Sequence, residues 1–279
     1  MIGFGERVRA AIAARGRLCV GIDPHPGLLE VWGLPQDAAG VREFGLRVVD
    51  AAAGRVGVVK PQVAFFERHG SAGFAALEDV LASARAAGLL VIADAKRGDI
   101  GSTMDAYARA WLTPGSPLEA DALTVNPYLG VGALTDTMEL ARSSGKGLFV
   151  LAATSNPEAG TLQRAEAVDG ETVAGTVLAE VAADNELHTP AGEWGAIGLV
   201  VGATVDRIRA GLGSGMTPPA PILAPGFGHQ GARLADLGDL FGDFAETVLA
   251  NESRGVLGGG PDELVERIAA RRAELGESA

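Results

Sequence analysis

The chain has 279 residues, of which 47% are hydrophobic and 21% charged, so it can form a sizeable core and is not intrinsically disordered. Its formal net charge of −12 disfavours nonspecific binding to nucleic acid or to an anionic membrane surface. No apolar run reaches the roughly 18 residues that a membrane span requires, and the single cysteine, Cys19, cannot form an internal disulfide. We therefore expect a cytoplasmic protein that binds neither nucleic acid nor membrane.

The N-terminal segment has the pattern of a helix. Phe4, Val8 and Ile12 follow one another at four-residue spacing, which predicts a surface helix. Glu6 lies among the arginines of this segment, and acidic residues are unusual in transit peptides. The segment is therefore interpreted as part of the folded protein.

Short runs rich in Val, Ile and Leu alternate with segments of helical periodicity, which is typical of parallel sheets built from strand–helix units. We predict eight strands, at Leu18–Ile22, Val56–Lys60, Leu89–Asp94, Ala122–Val125, Gly147–Ala152, Ala196–Val201, Pro221–Ala224 and Thr247–Ala250. Eight such runs in about 250 residues favour a closed (β/α)8 barrel, the TIM barrel, over an open doubly wound sheet. We predict one α/β domain over residues 1–279, with an excursion near residues 156–193 that holds a helix around Glu171–Asp184.

Two further helices are indicated by local signals. Ser102-x-x-Asp105 has the pattern of a capping box at a helix start. Pro261 is expected to open a final helix. The apolar face of the helix after Ser102 is predicted to comprise Met104, Ala108, Trp111 and Leu112.

Lysine usage points to two positions. Of 23 basic residues only three are lysine, Lys60, Lys96 and Lys146, and the first two lie at predicted strand ends, where barrel enzymes place their chemistry. A site that needs a proton donor cannot use arginine, which stays protonated near neutral pH. Lys146 precedes a strand at the opposite end and is predicted to be structural.

Acidic residues surround Lys96 in the sequence. Asp94 and Lys96 are two residues apart on an extended strand, so their side chains point to the same side and can form an ion pair. Asp99 lies beyond the flexible Gly98, so it either folds back or projects outward. A projecting Asp99 would complete the site of a neighbouring subunit.

Two segments are candidates for phosphate binding. The glycine-rich turn Pro225–Gly231 follows the seventh run, and Ser253-Arg254-Gly255 follows the eighth, where barrels often hold a phosphate. Arg254 is the candidate cation, and Gln230 is a candidate neutral donor. The histidines lack metal-site spacing and no G-x-S-x-G elbow ends a strand, so neither a zinc site nor a serine nucleophile is indicated. Cys19 is interpreted as a small buried hydrophobe.

The segment Asp94-Ala-Lys96-Arg-Gly-Asp99-Ile100-Gly-Ser-Thr103 resembles the orotidine 5′-phosphate decarboxylase family, in particular its longer bacterial branch. The resemblance spans the chain, because four more motifs occur in the order found in the family. They are Gly-Ile-Asp23-Pro, Val-Lys60-Pro-Gln, Pro225-Gly-x-Gly-x-Gln230-Gly and Ser253-Arg254-Gly.

The resemblance implies that orotidine monophosphate loses carbon dioxide to give uridine monophosphate in pyrimidine biosynthesis, without a metal or an organic cofactor. Lys96 would donate the proton to the pyrimidine carbon. Lys60, Asp94 and Lys96 would form a charged array with Asp99 of the other subunit, in a homodimer with shared active sites. The remaining implied residues contact the nucleotide substrate: Asp23 and Lys60 at the ribose, assisted by Thr103 of the other subunit, Ser155 (or Thr154) at the base, Ile100 in the pocket wall, Pro225 near the ring, and Gln230 and Arg254 at the phosphate.

Three other functions are compatible with these residues. The nearest is a magnesium-dependent sugar-phosphate decarboxylase or aldolase on the same scaffold. A Schiff-base enzyme using Lys60 or Lys96 is disfavoured, because neighbouring acids favour the ammonium over the free amine. A nucleotide-binding barrel without catalysis is the third alternative.

Overall fold

A computed structural model describes residues 2–167 and 170–277. The strands are β1 Leu18–Ile22, β2 Val58–Pro61, β3 Leu90–Arg97, β4 Ala122–Val125, β5 Gly147–Ala153, β6 Ile197–Val201, β7 Ile222–Pro225 and β8 Val248–Glu252. The α-helices are α1 Phe4–Arg15, α2 Pro26–Val31, α3 Ala38–Ala52, α4 Val63–Glu67, α5 Gly70–Ala86, α6 Gly101–Leu112, α7 Thr135–Ser143, α8 Gly160–Gln163, α9 Val173–His188, α10 Leu237–Phe241, α11 Arg254–Leu257 and α12 Leu264–Glu274. Short 3₁₀ helices cover Val131–Leu134, Pro157–Ala159, Gly228–Gln230, Leu234–Asp236, Gly242–Thr247 and Pro261–Glu263.

The strands form a closed parallel barrel in chain order, in which β1 pairs with both β2 and β8. The predicted single (β/α)8 barrel is confirmed. The first and fourth predicted strands have the observed bounds, and the ends of the others differ by at most three residues. The predicted domain limits 1–279 stay a prediction, because residues 1, 168, 169, 278 and 279 lie outside the described residues.

The barrel interior changes from apolar to polar along the strands. Alternate residues of each strand face the barrel interior. One layer of these residues is apolar and comprises Cys19, Val58, Ile92, Ala122, Phe149, Val200, Leu223 and Leu249. On β2, β3 and β4 the next inward-facing residue, two positions after the apolar one, is Lys60, Asp94 and Thr124, respectively. All three are buried. In these three strands the polar inward-facing residues therefore lie toward the carboxyl end of the barrel.

Helix α1 closes the opposite end. The predicted surface helix is present: Arg9, Ala13 and Ala14 on one side are exposed, whereas Phe4 and Val8 of its apolar face are buried. The ring of Phe4 packs edge-on against Phe149, with 5.9 Å between ring centroids. Cys19 is buried as predicted, and burial raises the pKa of its thiol to about 12. The amino end of the barrel is therefore covered by α1.

The predicted capping box at the start of α6 was wrong. Ile100 occupies the N-cap position without a side-chain cap, Ser102 lies inside the helix, and the carboxylate of Asp105 accepts a hydrogen bond from Arg109 (2.8 Å). The carboxylate of Asp99 is closer to the helix start, where Oδ1 accepts the N–H of Ile100. The predicted apolar face is confirmed, because its members are buried: Met104, Ala108, Trp111 and Leu112.

The excursion between β5 and β6 contains α8 and α9. Helix α9 starts and ends a few residues later than predicted, because Thr172 caps it by accepting the N–H of Gly175 (2.9 Å). Residues 168 and 169 of the excursion lie outside the described residues. A 3₁₀ turn at Pro261 leads into α12, as predicted. Within the described ranges, no helix has both the length and the apolar character needed to cross a bilayer.

Candidate active site

A cavity of about 350 Å³ opens at the carboxyl ends of the strands. This volume is in the range of small-molecule sites. Eight of the predicted site residues line it: Asp23, Lys60, Asp94, Lys96, Ser155, Pro225, Gln230 and Arg254. Strand ends and loops that are far apart in the sequence thus meet at one site.

Asp94 holds the two lysines at the base of this cavity. Its Oδ2 atom lies 2.8 Å from Nζ of Lys60 and its Oδ1 atom lies 2.5 Å from Nζ of Lys96, so the predicted ion pair is present. The Lys60 side chain is 5% exposed, whereas that of Lys96 is 44% exposed. Lys96 is therefore the cation that a bound molecule can approach directly.

Charge pairing stabilises the ionised state of these buried groups. Burial opposes ionisation of Asp94, but the ammonium groups of Lys60 and Lys96 hold its pKa well below the usual value. Burial likewise opposes the charged form of Lys60, and Asp94 and Asp23 overcome that effect and raise its pKa above the usual value. Lys60 and Asp94 are therefore charged before any ligand binds.

The backbone at Lys96 is unusual. Lys96 has φ of +49°, and no other non-glycine residue of the described chain has a positive φ. The register between β3 and β4 also shifts between Ala93 and Arg97. Such left-handed conformations are disfavoured for L-residues and persist only where surrounding contacts enforce them.

Asp23 lies beside Lys60 at the mouth of the barrel. Its Oδ1 atom is 3.9 Å from Nζ of Lys60, and it is buried without a hydrogen-bond donor among the described residues. A buried carboxylate oxygen favours a hydrogen-bonded partner. This atom is therefore suited to accept a hydroxyl group from a ligand.

The loops after β7 and β8 form the other end of the cavity. Gly226 and Gly228 have φ of 116° and 70°, which only glycine adopts readily, and they turn the chain so that Gln230 faces the cavity. Arg254 lines the same end, is exposed, and has no acidic partner among the described residues. An uncompensated guanidinium beside glycine-rich backbone suits an anionic group.

The end of β5 distinguishes Ser155 from Thr154. Thr154 is held by the excursion: its N–H donates to Oε1 of Gln163 (2.8 Å), and Nε2 of Gln163 donates to its hydroxyl (3.0 Å). The Thr154 hydroxyl in turn donates to Oδ1 of Asn156. Ser155 instead donates to Oε1 of Gln230 (2.8 Å) across the cavity mouth. Gln163, for which the sequence indicated no role, thus orients the strand end that carries Ser155.

Three predicted residues lie outside the cavity of this chain. Asp99, Ile100 and Thr103 are absent from its lining, and Ile100 is 62% exposed. The pocket-wall position that the resemblance implies for Ile100 is therefore not formed by the single chain. Asp99 does not fold back into the cavity of its own chain, and its Oδ1 atom accepts the N–H of Ile100.

Gln62 and Thr124 were missed by sequence reasoning. With its amide nitrogen turned toward Asp94, Gln62 donates to the backbone oxygen and to Oδ2 of that residue, at 2.7 and 2.9 Å. Thr124 is buried on β4 and hydrogen-bonds both Lys96 and Asp94. The two-residue period of β4 was the available signal, because it gives Thr124 the same parity as the inward-facing Ala122.

The structure also shows where the third lysine lies and whether metal-ligating side chains are grouped. Lys146 pairs with Glu119 at 2.6 Å at the amino end of β5, so the prediction of a structural lysine is confirmed. Among residues 2–167 and 170–277, no three or more His, Cys, Asp and Glu side chains are grouped so as to hold a metal ion.

The fold and this geometry define a class of protein, the (β/α)8 barrels with a charged site at the carboxyl ends of the strands. Residues 16–266 match the model of the orotidine 5′-phosphate decarboxylase / HUMPS family. The chain is 53% identical over 272 residues to orotidine 5′-phosphate decarboxylase of Salinispora tropica, covering 98% of this chain and 96% of the relative. It is 54% identical over 270 residues to the protein of the same name from Streptomyces coelicolor, covering 96% and 95%.

Solved structures agree with these relatives. The crystal structure of a Streptomyces avermitilis protein has a TM-score of 0.92 and 51% identity, covering 99% of this chain and 95% of that one. The OMP decarboxylase of Leishmania donovani has a TM-score of 0.71 and 29% identity, covering 98% and 99%. The chain therefore belongs to the orotidine 5′-phosphate decarboxylase family, as its sequence motifs indicated.

Proposed function

We propose that this protein is a carboxy-lyase that converts orotidine 5′-monophosphate to uridine 5′-monophosphate and CO₂ in pyrimidine biosynthesis. The observation that carries the proposal is the Lys60–Asp94–Lys96 array at the base of the cavity, in a chain about half identical to decarboxylases of that name. The reaction needs no metal or organic cofactor, because the charges it requires come from the side chains themselves.

Lys96 is the proton donor in this proposal. The bond between the ring carbon and the carboxylate carbon breaks, CO₂ leaves, and the electron pair stays on the ring carbon, in the ring plane, where resonance cannot spread it. Stabilisation must then come from positive charge already placed beside that carbon. The partly exposed ammonium of Lys96 supplies this charge and then transfers a proton to the carbon. Asp94 holds the ammonium in place throughout.

The remaining cavity residues bind the nucleotide. Asp23, with its free Oδ1 acceptor, and Lys60 hold the ribose hydroxyls. Ser155 reads the base, a role favoured over Thr154 because the Thr154 hydroxyl is held by Gln163. Three residues complete the contacts, with Pro225 beside the ring and Gln230 and Arg254 at the phosphate. Phosphate binding remote from the reacting carbon helps to organise the site for the chemical step.

The active form is a homodimer with shared sites. Asp99, Ile100 and Thr103 do not line the cavity of their own chain, and Tyr128 and Leu129 expose 74% and 53% of their surface after the neighbouring strand β4. An exposed apolar group of this kind favours burial against a second copy. In the dimer Asp99 joins the charged array of the partner site, Ile100 lines that pocket, and Thr103 assists at the ribose.

An ultraviolet assay of orotidine monophosphate tests the proposed reaction. Turnover changes the absorbance of the pyrimidine, whereas binding without catalysis leaves it unchanged. Activity is expected to survive excess EDTA. Loss with EDTA that magnesium restores would instead support the sugar-phosphate alternative, and a borohydride-trapped adduct on Lys60 or Lys96 would support a Schiff base.

The proposed cytoplasmic location rests on the single cysteine of the sequence, Cys19, which cannot form an internal disulfide. Cell fractionation tests it. Recovery of the activity in a membrane or secreted fraction would contradict it.

A further inference from the structure

Thr124 of β4 is fully buried beneath the cavity and contacts both members of the Lys96–Asp94 pair. The backbone N–H of Lys96 donates to its hydroxyl oxygen at 2.9 Å. That hydroxyl donates to Oδ1 of Asp94 at 3.0 Å. Because an N–H can only donate and a carboxylate can only accept, the orientation of the hydroxyl proton is determined by its two partners.

We propose that Thr124 is a positioning residue, whose hydroxyl holds Lys96 in its left-handed backbone conformation and thereby aims the ammonium at the substrate carbon. The proposal rests on the proposed decarboxylation for its kinetic consequences. The two hydrogen bonds of Thr124 are independent of which reaction the protein catalyses.

The backbone contact explains why Lys96 can keep a disfavoured conformation. At φ of +49° its N–H is directed toward β4, at the place where the β3–β4 register shifts. The Thr124 hydroxyl thus accepts the backbone N–H of Lys96 at the point where the register shifts. Without that acceptor a part-buried N–H would lose its partner, and the unusual conformation would lose the contact that compensates for it.

The side-chain contact completes the coordination of Asp94. A carboxylate offers about four acceptor positions. Lys96 and Thr124 donate to Oδ1, while Lys60 donates to Oδ2, joined there by the Gln62 amide in the orientation that faces it. A carboxylate held by four donors cannot rotate freely. Thr124 therefore positions both the backbone from which Lys96 extends and the oxygen that its ammonium contacts.

Thr124→Val and Thr124→Ser test this role, because valine keeps the shape without the hydroxyl and serine keeps the hydroxyl. We expect Thr124→Val to lower kcat by roughly 10²-fold, the effect of displacing a catalytic group by about 1 Å. KM and the affinity for uridine monophosphate should change little, because the base and phosphate contacts lie on other strands. Thr124→Ser should restore most of kcat.

Thr247→Val is the matched control. Thr247 is also buried, and its hydroxyl donates to the backbone oxygen of Phe244 at the amino end of β8. This variant removes one buried hydroxyl far from the cavity and should leave kcat unchanged. Equal losses in the two valine variants, or a kcat of Thr124→Val within twofold of wild type, would overturn the proposal.

Crystal structures of wild type and Thr124→Val separate this inference from the proposed reaction. We expect Lys96 to leave the left-handed region and its ammonium to move from Oδ1 of Asp94 in the variant. If Lys96 kept its φ and the contact with Asp94, the positioning role would be wrong, whatever the activity. Absence of wild-type turnover would refute the proposed reaction, and the two structures would still decide the role of Thr124.

Discussion

The Nζ atom of Lys96 lies 2.5 Å from Oδ1 of Asp94, two residues earlier on the same strand. The Asp94 side chain is only 10% exposed, whereas Lys96 is 44% exposed, so the acid anchors the pair and the cation meets the ligand. Substitutions of the two residues should therefore have different consequences, one for catalysis and the other for stability.

Replacing Lys96 by Ala or Arg should lower kcat by at least about 10³-fold, because proton donation and charge stabilisation are lost together. Arginine keeps a positive charge but cannot release a proton near neutral pH. Uridine monophosphate should still bind, which isothermal calorimetry can measure. Lys146→Arg is the control, since Lys146 pairs with Glu119 at the opposite end of the barrel, and its kcat should stay at the wild-type level. Normal turnover in Lys96→Ala would refute the assigned role.

Mixing inactive Lys96→Ala and Asp99→Ala proteins should restore activity if Asp99 acts in the partner's site. In a random mixture half the dimers are mixed and each has one intact site, so roughly a quarter of the sites recover. The measurement is turnover after subunit exchange, with exchange verified by mass spectrometry of tagged chains. Inactivity of a demonstrated mixed dimer would place Asp99 outside the shared site.

Arg254→Ala should reduce kcat/KM for orotidine monophosphate by about 10- to 100-fold, the usual effect of losing a charged hydrogen bond. Orotidine, which lacks the phosphate, should react equally well with wild type and variant. Arg233→Ala is the control, because Arg233 is exposed, pairs weakly with Asp236 and does not line the cavity. A matching loss with orotidine would show that Arg254 does not act through the phosphate.

Asp94→Asn should lower the free energy of unfolding at pH 7 by about 3–5 kcal/mol, because Lys60 is left buried without its main counter-charge. The pKa of Asp94 lies below its unfolded value, so the ionised carboxylate contributes stability above about pH 3.9 and loses it as the pH falls further.

Urea unfolding between pH 7 and pH 3 measures this effect, and the difference between wild type and Asp94→Asn should narrow below about pH 4. Asp105→Asn serves as the control, because its pair with Arg109 is exposed to solvent and should contribute little to the free energy of unfolding at any pH. A difference that stays constant down to pH 3 would contradict the depressed pKa of Asp94.

Much of the barrel was predictable because its strands are nearly continuous apolar runs. The bounds of β1 and β4 were predicted without error. The end of β3 was not, because the predicted strand stops at the polar residue Asp94 whereas β3 continues to Arg97. The surface helix α1 was predicted as well, but its packing against Phe149 was not, because periodicity shows that a helix has an apolar face but not what that face packs against.

The sequence by itself determined the features that depend on neighbouring residues. These are the scarcity of lysine, the two-residue spacing of Asp94 and Lys96, and the turns that carry Gln230 and Arg254. The tertiary structure alone decided that Lys60 and Lys96 share one carboxylate, that Ser155 rather than Thr154 faces Gln230, and that Thr124 supports the backbone at Lys96. These relationships depend on the register between neighbouring strands and on barrel closure. Both arise from long-range pairing and packing, which the residues near any one position in the sequence do not specify.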